Sequence, residues 1–150
     1  MAGRKTSAST TEIGGSCLAA KARLVGRVVT SIYDDAFRPL GAKVSQLNIL
    51  VLTQHLGVAR PAVVCEMLHL DTSTLSRNVE RMRKKGWLEI VPAPGRSQPF
   101  QLTAEGRALI RKAEPAWQEA QETAKKILGK ELVQALSKPM AELCCGARGN

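Results

Sequence analysis

The chain has 150 residues, enough for one domain with a buried core, and its 22 basic and 13 acidic residues leave a net charge of +9. That balance points to a polyanionic partner, either a nucleic acid or an anionic membrane surface. No apolar run is long enough to span a bilayer and the first residues lack the apolar core of a signal peptide, so a cytoplasmic location with reduced thiols is expected.

Residues 1–15 are small and polar and read as a disordered tail; residues 16–150 read as one domain. A first helix is expected over residues 16–38, with Leu18, Ala22, Val25, Val29 and Ile32 on its apolar face and Pro39 and Gly41 as its stop. A second begins at Ser45, with Leu47, Leu50 and Val51 turned inward and Gly57 just past its end. Pro61 suits the first turn of a third helix through Leu68. The run Leu68-His69-Leu70-Asp71 then forms the short turn of a helix-turn-helix.

The next helix is basic. Leu75, Val79 and Met82 fall at i, i+4 and i+7 and make one apolar stripe. Counting at about 100° per residue, the opposite face holds Ser73, Thr74, Arg77, Glu80, Arg81 and Lys84. Asp71 or Thr72 can cap its start and Gly86 can end it. Alternation then predicts two strands, one with Leu88 and Ile90 on a common side and a return strand with Phe100 and Leu102. Their loop, residues 92–98, contains Arg96. A helix packed on one face, with hydroxyls and guanidinium groups on the other, suits a DNA major groove. It also suits an ordinary solvated surface, and the hairpin that follows favours the first reading, a winged helix-turn-helix over residues 45–103.

After Thr103 the pattern returns to helix, with Leu109, Ala113, Trp117, Ala120, Ala124 and Leu128 in line. Pro115 should kink it and Gly129 should break it. Leu132, Leu136, Met140 and Leu143 mark a last helix, with Pro139 a second irregularity. The fold class is therefore mainly α with a small β-hairpin wing, an α+β arrangement. Terminal helical segments, residues 16–40 and 104–145, flank the lobe. Their apolar stripes exceed what the lobe can cover, so they either pair with a second copy of the chain or close into a bundle on a monomer.

Catalytic signatures are missing. No GxGxxG, P-loop, HExxH or CxxC is present, and His55 and His69 are isolated in sequence. No enzyme activity, cofactor or metal is expected. Tyr33 and Trp117 can line a ligand cleft or pack in the core or a dimer interface. Cys65 suits a small buried hydrophobe. Cys17 stands at the start of the first helix, where the dipole can lower a thiol pKa, and Cys144 and Cys145 close the last. If the terminal helices meet, Cys17 can approach Cys144 or Cys145, which leaves a redox role open beside a purely structural one.

The run from Leu70 to Leu88, with Asp71, Arg77, Arg81 and Gly86, and the motif Leu102-Thr103-Ala104-Glu105-Gly106 after the wing resemble the MarR family of bacterial transcriptional regulators. The resemblance covers about residues 17–145. It implies a homodimer joined by terminal helices, with recognition helices in successive major grooves of a near-palindromic double-stranded DNA operator and wings in the minor grooves. Ser73, Thr74, Ser76 and Arg77 match recognition-helix positions, and Arg96 matches the wing arginine; Arg81 and Lys84 lie on the same exposed face. Where the family wing usually has an Asp two residues before that arginine, this chain has Pro94. The resemblance further implies a repressor released by a small aromatic or phenolic effector, and no membrane partner. Two other readings stay open: a thiol-based redox regulator, since one branch of the family places a reactive Cys on the first helix, and a winged-helix protein-interaction module without specific DNA binding.

Overall fold

A computed structural model describes residues 15–137. The tail of residues 1–14 and the positions Pro139, Met140, Leu143, Cys144 and Cys145 lie outside the described residues. Helix α1 (Leu18–Phe37) runs into a single 3-10 turn, Arg38–Leu40, closed by Gly41 at φ 64°. Helix α2 (Val44–Leu56), strand β1 (Val58–Ala59), helix α3 (Pro61–Leu68) and helix α4 (Thr72–Lys84) follow. Strands β2 (Leu88–Ile90) and β3 (Phe100–Leu102) then lead to the long helix α5 (Ala104–Leu136).

Local chemistry sets most of these boundaries. The Val44 amide, first in α2, donates to Asp34 Oδ1 at 2.8 Å, so the end of α1 caps the start of α2. Pro61 occupies the first turn of α3, where its missing N–H costs nothing. His69 ends α3 in the left-handed conformation at φ 50°, and its amide and that of Leu70 both return to the Cys65 carbonyl. Thr103 caps α5: its Oγ1 accepts the Gly106 amide at 3.0 Å.

The core lies where α2, α3, α4 and the sheet converge. Ile49, Leu50, Val64, Leu75, Met82, Leu88 and Phe100 are fully enclosed there. The one buried hydroxyl among them, that of Thr53, donates to the Ile49 carbonyl at 2.7 Å. Helix α1 packs chiefly along α5. Tyr33 and Phe37 of α1 and Ala113, Ala120 and Ala124 of α5 are all buried in the common core, and alanines on α5 let two helices approach closely.

Several expectations change. The wing is part of a three-stranded antiparallel sheet in the order β1-β3-β2, because Val58 and Ala59 pair with Gln101 and Phe100 on the outer side of β3. A two-residue strand is too short for periodicity to reveal. Val51 is 52% exposed rather than buried, because the inward face of α2 is centred on Gln46, Ile49, Leu50 and Thr53 and Val51 lies about 150° around the helix from that centre. Leu18 and Ala22 are exposed, so the buried part of α1 is its C-terminal half. Helix α5 keeps helical dihedrals through the exposed Pro115, and its non-helical residue is Gly129 at φ 76°. The carbonyl that loses its partner to Pro115 can turn to water, whereas a positive φ interrupts the helix outright.

Candidate nucleic-acid interface

Asp71 builds the entry to α4. Its Oδ1 accepts the Thr74 amide at 2.8 Å and the Ser73 hydroxyl at 2.6 Å, and its Oδ2 accepts the Thr74 hydroxyl at 2.7 Å. Those hydrogen bonds, with Ser73 first, hold the carboxyl far below its ordinary range. Asp71 therefore stays ionised at the positive end of the helix dipole. The sequence placed Ser73 and Thr74 among the readers. In the structure both hydroxyl protons are given to Asp71, which leaves their oxygens as acceptors only.

The outward face of α4 is formed by Ser73, Arg77, Arg81 and Lys84, all exposed. Arg77 lies one turn beyond Ser73, with its Nη2 3.5 Å from the Ser73 hydroxyl. Farther along, Glu80 ties up part of the positive charge. Arg83 donates to it from Nε and Nη2 at 2.9 and 3.0 Å, and Lys84 approaches at 3.8 Å. The hydrogen bond from Arg83 lowers the Glu80 pKa, and the same bond raises that of Arg83. Arg77 and Arg81 form no ion pair among the described residues. The cationic character free to meet phosphate or a base edge is thus concentrated on these two side chains.

Ser76 points to a different flank. It borders a groove of about 490 Å³ between α4 and the wing, shared with Thr72, Glu80, Arg96, Ser97 and Gln98. Ser97 and Gln98 were not singled out from the sequence, although their place beside Arg96 in a polar loop was a usable signal. The base of the wing is closed by the Val91 amide, which donates to the Pro99 carbonyl at 2.8 Å, and Gly95 turns its tip at φ 99°. Arg96 is exposed and without an ion pair among the described residues, in keeping with Pro94 in place of an acidic neighbour.

Tyr33 and Trp117 do not share a site. Trp117, 48% exposed, lines an apolar cleft of about 790 Å³ with Phe37, Val51, His55, Ile110 and Arg111. Tyr33 is buried nearby, its ring tilted against Phe37 and its hydroxyl donating to Gln121 Oε1; burial pushes its pKa up. Cys17 immediately precedes α1 and Cys65 lies within α3, both half-buried. No cluster of His, Cys, Asp and Glu able to hold a metal occurs among the described residues, and no described helix is long and apolar enough to cross a membrane.

Comparison with known proteins completes the picture. A MarR family model matches residues 40–97, which run from the α1–α2 turn into the wing. The transcriptional regulator PecS of Dickeya dadantii is 29% identical over 93 residues, covering 59% of this chain. The chain spans only 56% of the length of that relative. Two solved structures superpose over most of the chain. A MarR mutant of E. coli in complex with operator DNA has a TM-score of 0.76 at 20% identity, covering 90% of this chain and 99% of that one. The regulator MosR of M. tuberculosis in complex with DNA has a TM-score of 0.75 at 26% identity, covering 88% and 96%. With residues 40–97 matched by the family model and the fold on either side of them matched by solved regulators, this chain is similar to the MarR family of winged helix-turn-helix transcriptional regulators.

Proposed function

We propose that the protein is a homodimeric, sequence-specific DNA-binding regulator, a repressor that is released by a small-molecule effector and works in the cytoplasm. The observation that carries this reading is the outward face of α4, where Arg77 and Arg81 stand without carboxylate partners while Arg96 rises across the adjoining groove. Arg77, in the first two turns, has the reach for bidentate contact with a guanine edge. Arg81, Lys84 and Arg96 supply phosphate affinity. Ser76 lines the groove that separates the two elements.

The apolar cleft beside Trp117 offers an effector of the small aromatic or phenolic class a ring to stack on and, in Arg111, a cation for its anionic group. The cleft lies between α2 and α5, so a ligand there acts on the spacing of two recognition helices in a dimer and favours a state that cannot span both half-sites.

The test is a salt series of binding titrations on a DNA site selected from a random pool and on scrambled DNA. Arg77→Ala is expected to cost about 1–3 kcal/mol at the selected site and much less on scrambled DNA. Arg96→Ala should weaken both and flatten the salt dependence by about one unit per lost phosphate contact. An unchanged ratio of specific to scrambled affinity in Arg77→Ala would remove α4 as the reading element and make a protein-interaction module the better account.

A further inference from the structure

Helix α1 has three faces. Counted at 100° per residue, Val25, Val29, Ile32 and Tyr33 turn toward α5, and Leu24 and Val28 form a separate exposed apolar edge. Arg23, Arg27, Thr30 and Asp34 make a third line, which borders a groove of about 860 Å³. The opposite wall is the turn that joins α1 to α2, with Arg38 and Lys43. Two carboxylates also face the groove, and both are already engaged: Asp34 accepts the Val44 amide and Asp35 pairs with Arg38. Arg23 and Arg27 stand one turn apart, where like charges repel. Neither has an ion pair among the described residues. Two guanidinium forks on one wall of a groove whose lining sets Arg23, Arg27, Arg38 and Lys43 against Asp34 and Asp35 match the oxygens of phosphate or carboxylate groups.

The groove is also tied to the reading helix. Lys85, at the C-terminal end of α4, lays its ammonium 4.6 Å from the centre of the Trp87 ring and donates to the Gly41 carbonyl. Gly41 is part of the groove wall. One hydrogen bond therefore connects that wall to the end of the helix that carries Arg77.

We propose that this groove binds a small oligoanion with two or more phosphate or carboxylate groups, held by Arg23 and Arg27, and that its occupancy is relayed to α4 through the Gly41–Lys85 bond. Binding itself is independent of the DNA-binding reading; only the consequence of the relay rests on it. The experiment uses the full chain with Trp117→Phe, which leaves Trp87 as its single tryptophan. Inorganic pyrophosphate and citrate serve as probes, without DNA. A saturable change in Trp87 emission is expected at millimolar concentration or below. The exposed pair Arg23→Gln and Arg27→Gln should weaken binding by at least about tenfold while melting as the parent does. Lys85→Met should keep binding by calorimetry and lose the ligand-dependent change in emission. A response to pyrophosphate alone assigns a phosphorylated ligand, to citrate alone a polycarboxylate, and to both a site selective for charge only. No binding of either probe overturns the proposal, as does binding that survives loss of Arg23 and Arg27 but falls with Arg77→Gln and Arg81→Gln. Binding without any change at Trp87 overturns the relay. DNA affinity of the unmodified protein, measured without anion, reports separately on the reading of α4.

Discussion

The Asp71 carboxylate accepts three hydrogen bonds in the first turn of α4, and its depressed pKa makes that turn sensitive to acid. Because the folded-state value is lowered, the stabilisation is complete above the ordinary carboxylate value of 3.8 and is lost as the pH falls below it toward the folded-state value. Asn caps a helix about as well as Asp. Asp71→Asn should therefore melt close to the parent at neutral pH and lose part of the parent's acid-side decline. Asp71→Ala should melt lower at neutral pH and approach the parent in acid. Thermal melts of the three proteins by circular dichroism, from neutral pH to about pH 3, separate the cases. An acid-side slope in both variants equal to the parent's would assign it to other carboxylates. The same residue shows how much of the site was legible in the sequence. An acidic residue before a helical run is a recognisable cap, so Asp71 was in view. That Ser73 and Thr74 give their protons to it was not, because spacing assigns a side chain to a face without choosing its hydrogen-bond partner.

Among the described glycines, Gly106, at the junction of wing and α5, has the tightest surroundings. The Thr103 amide donates to the Trp87 carbonyl at 3.1 Å, and the Thr103 hydroxyl donates to the Gly86 carbonyl while accepting the Gly106 amide. A Cβ on Gly106 would lie 2.2 Å from the Trp87 carbonyl oxygen, a backbone atom already held by Thr103. Gly to Ala inside a helix ordinarily gains up to about 1 kcal/mol. Here overpacking wins, and Gly106→Ala should destabilise the protein by about 1–3 kcal/mol in urea denaturation. A neutral or stabilising result would show that the junction can open without loss. This contact also gives a physical reason for the run Leu102-Thr103-Ala104-Glu105-Gly106, which the sequence offered only as a motif. The helices and the two wing strands were legible because periods of 3.6 and 2 extend over enough residues to register. β1 was hidden by its two-residue length, and the exposure of Val51 by its place in the apolar run Ile49-Leu50-Val51-Leu52. Tyr33 and Trp117 were paired on residue type alone; which of two aromatic side chains meets a core and which a cleft depends on neighbours supplied by other helices.

At the scale of the whole molecule, several large apolar side chains of the two long helices are exposed. Leu24 is 65% exposed and Val28 40%, along the edge of α1 that turns away from α5, and Ile127, Leu132 and Leu136 are exposed near the end of α5. The lobe does not reach these residues, and burying them against a second copy is the arrangement that a closed two-fold interface allows. The full chain is expected to be a dimer at micromolar concentration by light scattering. Leu24→Glu with Val28→Glu places four carboxylates in a two-fold interface, none of which touches the enclosed core of the lobe. The double variant should be monomeric, retain the helical circular dichroism of the parent, and lose affinity for the selected near-palindromic site. The loss should be at least about a hundredfold, since each half-site is then bound without the effective concentration supplied by its neighbour. Binding to an isolated half-site should change little, because Arg77, Arg81 and Arg96 stay in place. That comparison separates the assembly from the reading head: a parent that is folded and monomeric would sink the dimer. A variant that remains dimeric would move the interface off this edge of α1. A variant that is monomeric yet binds the full site undiminished would show that the two halves of the operator are read independently.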